Sequence, residues 1–432
     1  MPGCREIILP ELLNNQMLNM IKRFLICILL AFSGTGVYAQ LIEKDSFPSA
    51  YRISFSLFDF PYMKDAAKAE ALRRADENLP YNPSVKFKDY GKFYRNLSMQ
   101  QSTELAAALH GGLYYGHNAL WNKIMPVSKS TKHYILNRLF ANITALGTDY
   151  LAIKLPYGYA FQHEEFHRSV MATRNIYSFD EVWKFGKGLD IAVTSVKDED
   201  LIYLKQHHPA DQVRLSAAGV EGEYMFMQKM RSENFFNHSA YPFLGLSILG
   251  TFHAINYVNL PFTERFNDIT DSILAHDKHD ILARDFTGYD FSAWVYDLFT
   301  PGEPYDARGQ WPDGTGIKRP VHASQLTEEM KEFLRETGNM QYLNLISPFM
   351  VGINKLQFKP GVYFNFALRS APTSFGYYAG GDFFLDIHSR QFLVSLGMYR
   401  SRSLRLPAMD IQYMKLNKNK TSAWNANLGL SL

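Results

Sequence analysis

Cysteine is almost missing from this chain of 432 residues: it has two, Cys4 and Cys27, both near the N-terminus. Everything downstream is therefore without a thiol nucleophile, a thiolate metal ligand or a disulfide. Charge is sparse as well, at 20% of residues, and nearly balanced, with 45 Lys+Arg against 42 Asp+Glu for a net +3. The basic residues are scattered instead of gathered in blocks, so the electrostatic footprint of a nucleic-acid binder is absent. No P-loop, glycine-rich dinucleotide fingerprint or GxSxG elbow occurs, which removes nucleotide-dependent and serine-hydrolase readings. Repeats and low-complexity tracts are missing too.

Aromatic residues, by contrast, reach 15% and apolar residues 47%, a composition that makes membrane association worth considering. Lys22 and Arg23 precede an apolar run from Phe24 to Phe32, and Val37-Tyr38-Ala39 offers a small-residue cleavage site before Gln40. Residues 1–39 are expected to be a secretory signal peptide, with the mature protein exported to the periplasm or outer membrane of a Gram-negative bacterium. The apolar run is too short to span a bilayer as a helix.

Hydrophobic periodicity divides the remainder into a mainly helical region over 40–345 and an antiparallel β region over 346–432, an α+β fold. In the first region Ile53, Phe55 and Leu57 alternate with polar residues as one strand does, a polar helix is expected over 62–75, and the stretch from Ser102 to Thr173 reads as several helices. The charge-poor segment Phe243 to Leu260, bracketed by Pro242 and Pro261, reads either as a buried core helix or as a membrane-embedded one. Residues 284–320 are rich in Gly, Pro, Asp and aromatics and read as a long ordered loop. A short helix follows, starting near Ser324 or Thr327 and stopping at Gly338. Beyond Ser347 the period becomes two, as in Val362, Phe364, Phe366 and Leu368 or Trp424, Ala426, Leu428 and Leu430, for about six strands. A soluble sheet and a partial outer-membrane-type barrel both fit that alternation.

Chemistry concentrates at Gln162-His163-Glu164-Glu165-Phe166-His167. On a helix, residues four apart share a face, so His163 and His167 can bind one Zn2+. Glu164, next to the first ligand, can take the proton of a metal-activated water and pass it to a leaving amine. A third ligand is sought in Leu215-Ser216-Ala217-Ala218-Gly219-Val220-Glu221-Gly222-Glu223, where small residues allow close helix packing. Glu221 is preferred, 54 residues after His167 (221−167), with Glu223 as the alternative. His110, His117, His253 and Tyr289 are candidate donors to an oxyanion.

The HExxH motif resembles that of the zincin metallopeptidases. The third histidine of the metzincin branch is replaced here by Thr173, so the likeness is to the gluzincin branch, in which a downstream Glu completes the metal site; that branch's Asn-Glu-x-x-x-Asp signature is absent. The resemblance implies a zincin-like helical catalytic domain and hydrolysis of a peptide or protein substrate. The competing expectation is a non-catalytic envelope protein in which HExxH is coincidental.

Overall fold

The computed structural model describes residues 97–154, 157–180, 192–237, 241–276 and 280–413. The expected signal peptide, the strand at Ile53, the polar helix over 62–75 and the final alternating run from Trp424 lie outside the described residues.

Helix α1 (Met99–Ile124) opens on a capping box in which the Ser98 side chain accepts from Gln101 N and the Gln101 side chain accepts from Ser98 N. It is followed by α2 (Thr131–Lys154) and by the motif helix α3 (Tyr159–Thr173). A two-strand ribbon, β1 (Phe179–Asp180) and β2 (Val193–Thr194), leads to α4 (Asp198–His207) and to α5 (Pro209–Phe236). At 28 residues α5 is the longest helix described, and Leu215, Ala217, Ala218, Val220, Phe226 and Met230 are buried around most of its circumference. A helix buried over most of its surface lies at the centre of a fold, and its polar residues Gln212, Glu223 and Arg231 are buried with it.

The segment bracketed by prolines becomes α6 (Leu244–Asn259), with Leu246, Ser247, Gly250 and Thr251 buried. No helix among the described residues is long and apolar enough to cross a membrane. After α7 (Phe266–His276), the stretch expected to be one long loop contains a helix, α8 (Asp290–Phe299). Phe291, Trp294 and Val295 are buried on it, with Leu298 packed alongside, a 3.6-residue period hidden in the sequence by Gly- and Pro-rich flanks. Thr327 caps α9 (Glu328–Met340) as expected, accepting from Met330 N. Gly338 does not stop that helix; it lies inside it because a Cβ there would come 2.2 Å from Asn259 Oδ1 of α6.

The C-terminal sheet is an antiparallel meander in the order β3 (Leu356–Lys359), β4 (Val362–Thr373), β5 (Gly376–Ile387), β6 (Arg390–Ser401), β7 (Arg405–Tyr413). Five strands are described where about six were expected. Its edges β3 and β7 do not pair with each other, so the described sheet is open and forms no closed barrel. His388 (φ 50) and Ser389 (φ 67) make the turn from β5 to β6, and two left-handed residues suit the twist of a two-residue hairpin. The inner face packs on α5 through Phe384 and Leu393 against Phe235 and Phe236. Asp382, buried on this face, accepts from Gln228 Nε2 at 2.9 Å and from Ser395 Oγ at 2.7 Å. The outer face is the more apolar one, with Phe366, Phe383, Val394 and Ile411 in register across four strands. Ala371 and Tyr377 of the sheet share one core with α5, α6, α8 and α9.

Candidate metal centre

Helix α3 begins at Gly158, whose φ of +57 and lack of a side chain let His110 approach; a Cβ would stand 2.4 Å from His110 Nε2. That imidazole accepts from Tyr159 N at 3.3 Å, and burial lowers its pKa to about 3. It is a core histidine, not a donor at the site. One face of α3 is anchored. Gln162 Nε2 donates to Thr103 Oγ1 at 2.7 Å and to Gly222 O at 3.0 Å. Glu165 pairs with Arg168, and Arg168 donates to Ser178 O at 3.1 Å. These bonds fix the rotation of the helix and so aim the opposite face.

That face presents His163 and His167, with ring centroids 5.0 Å apart. Both Nδ1 atoms are engaged: His163 with Glu223 Oε1 at 2.9 Å, and His167 with the carbonyl of Leu215 at 2.6 Å. A carbonyl only accepts, so His167 Nδ1 carries the proton and its Nε2 lone pair is available. The two Nε2 atoms converge on Asp290 Oδ2, at 3.7 Å from His163 and 3.5 Å from His167. Asp290 Oδ2 is buried and accepts no hydrogen bond. A tetrahedral ion with bonds of about 2.0–2.1 Å holds its donors roughly 3.3 Å apart; Asp290 lies near that spacing from each imidazole, and all three donor atoms fall within 4.8 Å of one another. Among the described residues this is the group of His, Cys, Asp and Glu donors that could hold a metal.

Asp290 was not foreseen. Asp285 Oδ1 accepts from Thr287 N at 2.9 Å and Gly288 N at 3.1 Å, and Gly288 takes a φ of +81 against Pro320. This turn delivers Asp290 to the first position of α8, where helix N-terminal N–H groups favour a carboxylate. Phe286 of the same turn lies 4.9 Å from the His167 ring.

The two residues expected to supply the third ligand sit elsewhere. Glu221 accepts from Arg214 at 2.7 and 3.2 Å on a half-exposed face of α5. Glu223 is buried behind His163 on Nδ1, the side away from the converging Nε2 atoms. From there it orients the imidazole and raises its basicity. Gly219, Gly222, Glu223 and Phe226 share one stripe of α5, three and four residues apart, and all meet α3. A Cβ on Gly219 would fall 2.2 Å from His163 Nε2, and one on Gly222 2.8 Å from Phe166 Cγ. The spacing of Gly219 and Gly222 is a sequence signal that favours Glu223 over Glu221, against the preference drawn from the sequence alone.

The electrostatics suit a cation. Burial lowers His167 to about 4. Burial works against His163 too, but Asp290, Glu223 and Glu164 hold it well above the usual imidazole range. Burial alone would raise Glu223, yet the imidazoles of His253 and His163 bring it to about 2. Glu164 acts electrostatically on His163, Tyr257 and Asp285, and it is only half-buried. Tyr257 lies edge-on to His163 at 5.9 Å and stacks on His253 at 5.9 Å. Burial first, then the charges of Asp290 and its neighbours, keep this phenol protonated.

Comparison with known proteins adds no relative. No family model, no curated protein and no solved structure matches the chain.

Proposed function

We propose that the protein is a zinc-dependent hydrolase that cleaves peptide bonds after export from the cytoplasm, with His163, His167 and Asp290 holding the metal. One observation carries this reading: two Nε2 atoms and an unpartnered buried carboxylate oxygen converge, while both Nδ1 atoms are held from behind. The three protein donors of a catalytic zinc site leave a fourth position open, where the ion acidifies water and polarises a carbonyl. Glu164 is the base of this scheme, taking a proton from the attacking water and delivering it to the departing amine. Tyr257, kept protonated, and His253 are the nearby donors suited to the developing oxyanion. Glu223 holds His163 in the required tautomer.

The test is elemental mass spectrometry of the full chain purified without chelator, alongside hydrolysis of a fluorogenic peptide library. The parent is expected to carry about one zinc per chain, and His163→Ala and Asp290→Ala to lose it. Glu164→Gln is expected to keep the zinc while its peptide hydrolysis drops by at least about a hundredfold. A folded parent without metal refutes the site; a fully active Glu164→Gln refutes the mechanism.

A further inference from the structure

The α1–α2 hairpin is built inside out. Its inward positions include Gln101, His110 and Asn118 of α1 and Asn137 and Asp149 of α2, all buried. Beyond Gln100 at its first turn, the solvent-facing positions of α1 are Leu109, Leu113, Leu120 and Ile124, with Gly116 and Lys123. Those of α2 include Ile135, Leu139, Ile143, Leu146 and Tyr150. Leu120 is 50% exposed, Ile135 57% and Ile143 54%. Spacings of four, seven, four on one helix and four, four, three, four on the other put each set on a single stripe, and the helices pack side by side through Trp121 Nε1 donating to Thr144 Oγ1 at 3.0 Å. The result is one continuous apolar face made of two stripes, each roughly 23 Å long at 1.5 Å per residue.

The charge around that face has one sign. From Leu105 to Thr148 there is no Asp or Glu, while Lys123, Lys129 and Lys132 gather at the hairpin tip. A stable soluble surface reverses both features, with polar groups outward and both signs interspersed. An apolar face flanked by cations is the chemistry of an element lying in the headgroup and upper acyl region of an anionic leaflet. The stripes are shorter than the hydrocarbon core of about 30 Å, so this contact is with one leaflet.

We propose that the outer face of the α1–α2 hairpin docks on an anionic lipid bilayer, with the lysines of the tip at headgroup level. Full-length protein is mixed with vesicles of phosphatidylcholine alone or with roughly 30% phosphatidylglycerol and floated through a density gradient. Flotation is expected with the anionic vesicles and to weaken as salt is raised, since screening removes the charge attraction. Leu113→Glu/Ile143→Glu is expected to bind at least about a hundredfold more weakly, and Lys129→Glu/Lys132→Glu to lose the preference for anionic vesicles. Every variant keeps residues 1–96, so any contribution from them is common to all. Zinc content and the near-ultraviolet dichroism of the variants report whether they fold, and Leu120→Gln/Leu139→Gln replaces the first pair if it does not. Equal flotation of parent and apolar-face variants overturns the proposal, as does a parent that floats with neither vesicle. It also fails if light scattering shows that the substitutions split a dimer without changing flotation, because a second copy then covers the face.

Discussion

Gly219 sets the separation of the two helices that make the site, since the His163 ring fills the space where its side chain would be. Replacing glycine by alanine in a helix ordinarily stabilises it by up to about 1 kcal/mol. Here the added methyl must push the imidazole off its line to Asp290. Gly219→Ala is therefore expected to leave the chain folded but to lower zinc affinity by about 10–100-fold, in the range found when a metal ligand loses its support. Competition against a fluorescent chelator measures it, and unchanged affinity would show that the ring has room to spare. His163, Glu164 and His167 were legible in the sequence because their chemistry depends on spacing within one helix. Asp290 was not: it stands 123 residues after His167 (290−167), and only tertiary packing brings α8 to α3. Glu223 was visible as a residue but not in its role, which depends on the rotation of α5 about its axis.

Helices α1, α2 and α6 meet at one carboxyl group. Asp149 of α2 accepts from Tyr114 OH of α1 at 2.5 Å and from Leu246 N of α6 at 3.0 Å. Burial raises its pKa from 3.8 to about 7, against the opposing effect of those two donors. Folding thus takes up a proton here, so the contribution to stability is full below about pH 4 and is lost as the pH rises through 7. Asp149→Asn keeps acceptor and shape but cannot ionise. Urea denaturation at pH 5 and pH 8 should show the parent losing stability relative to this variant at the higher pH; an equal gap at both would mean that Asp149 does not titrate in this range. At this scale the sequence was read well where signals are local, as in the Thr327 cap and the strand alternation. It was misread at α8, where four apolar residues carry the period and their flanks resemble a loop.

The helical part and the sheet share their interior, across the division near residue 345 that the change of period suggests. Phe384 is fully buried between the sheet and Phe235, Phe236 and Phe349. Phe384→Ala should cost about 3–5 kcal/mol and move one cooperative transition to lower denaturant, with helical and sheet signals lost together. Two separate transitions would show that the parts fold independently. A turn of only two residues, His388 and Ser389, sets the register in which β6 pairs with β5. Side chains alternate strictly along a strand, so one residue more or fewer in that turn would send Phe392, Val394 and Leu396 toward α5 and expel Leu393 and Ser395. Along this hairpin the chain can trade one amino acid for another far more readily than it can change their number.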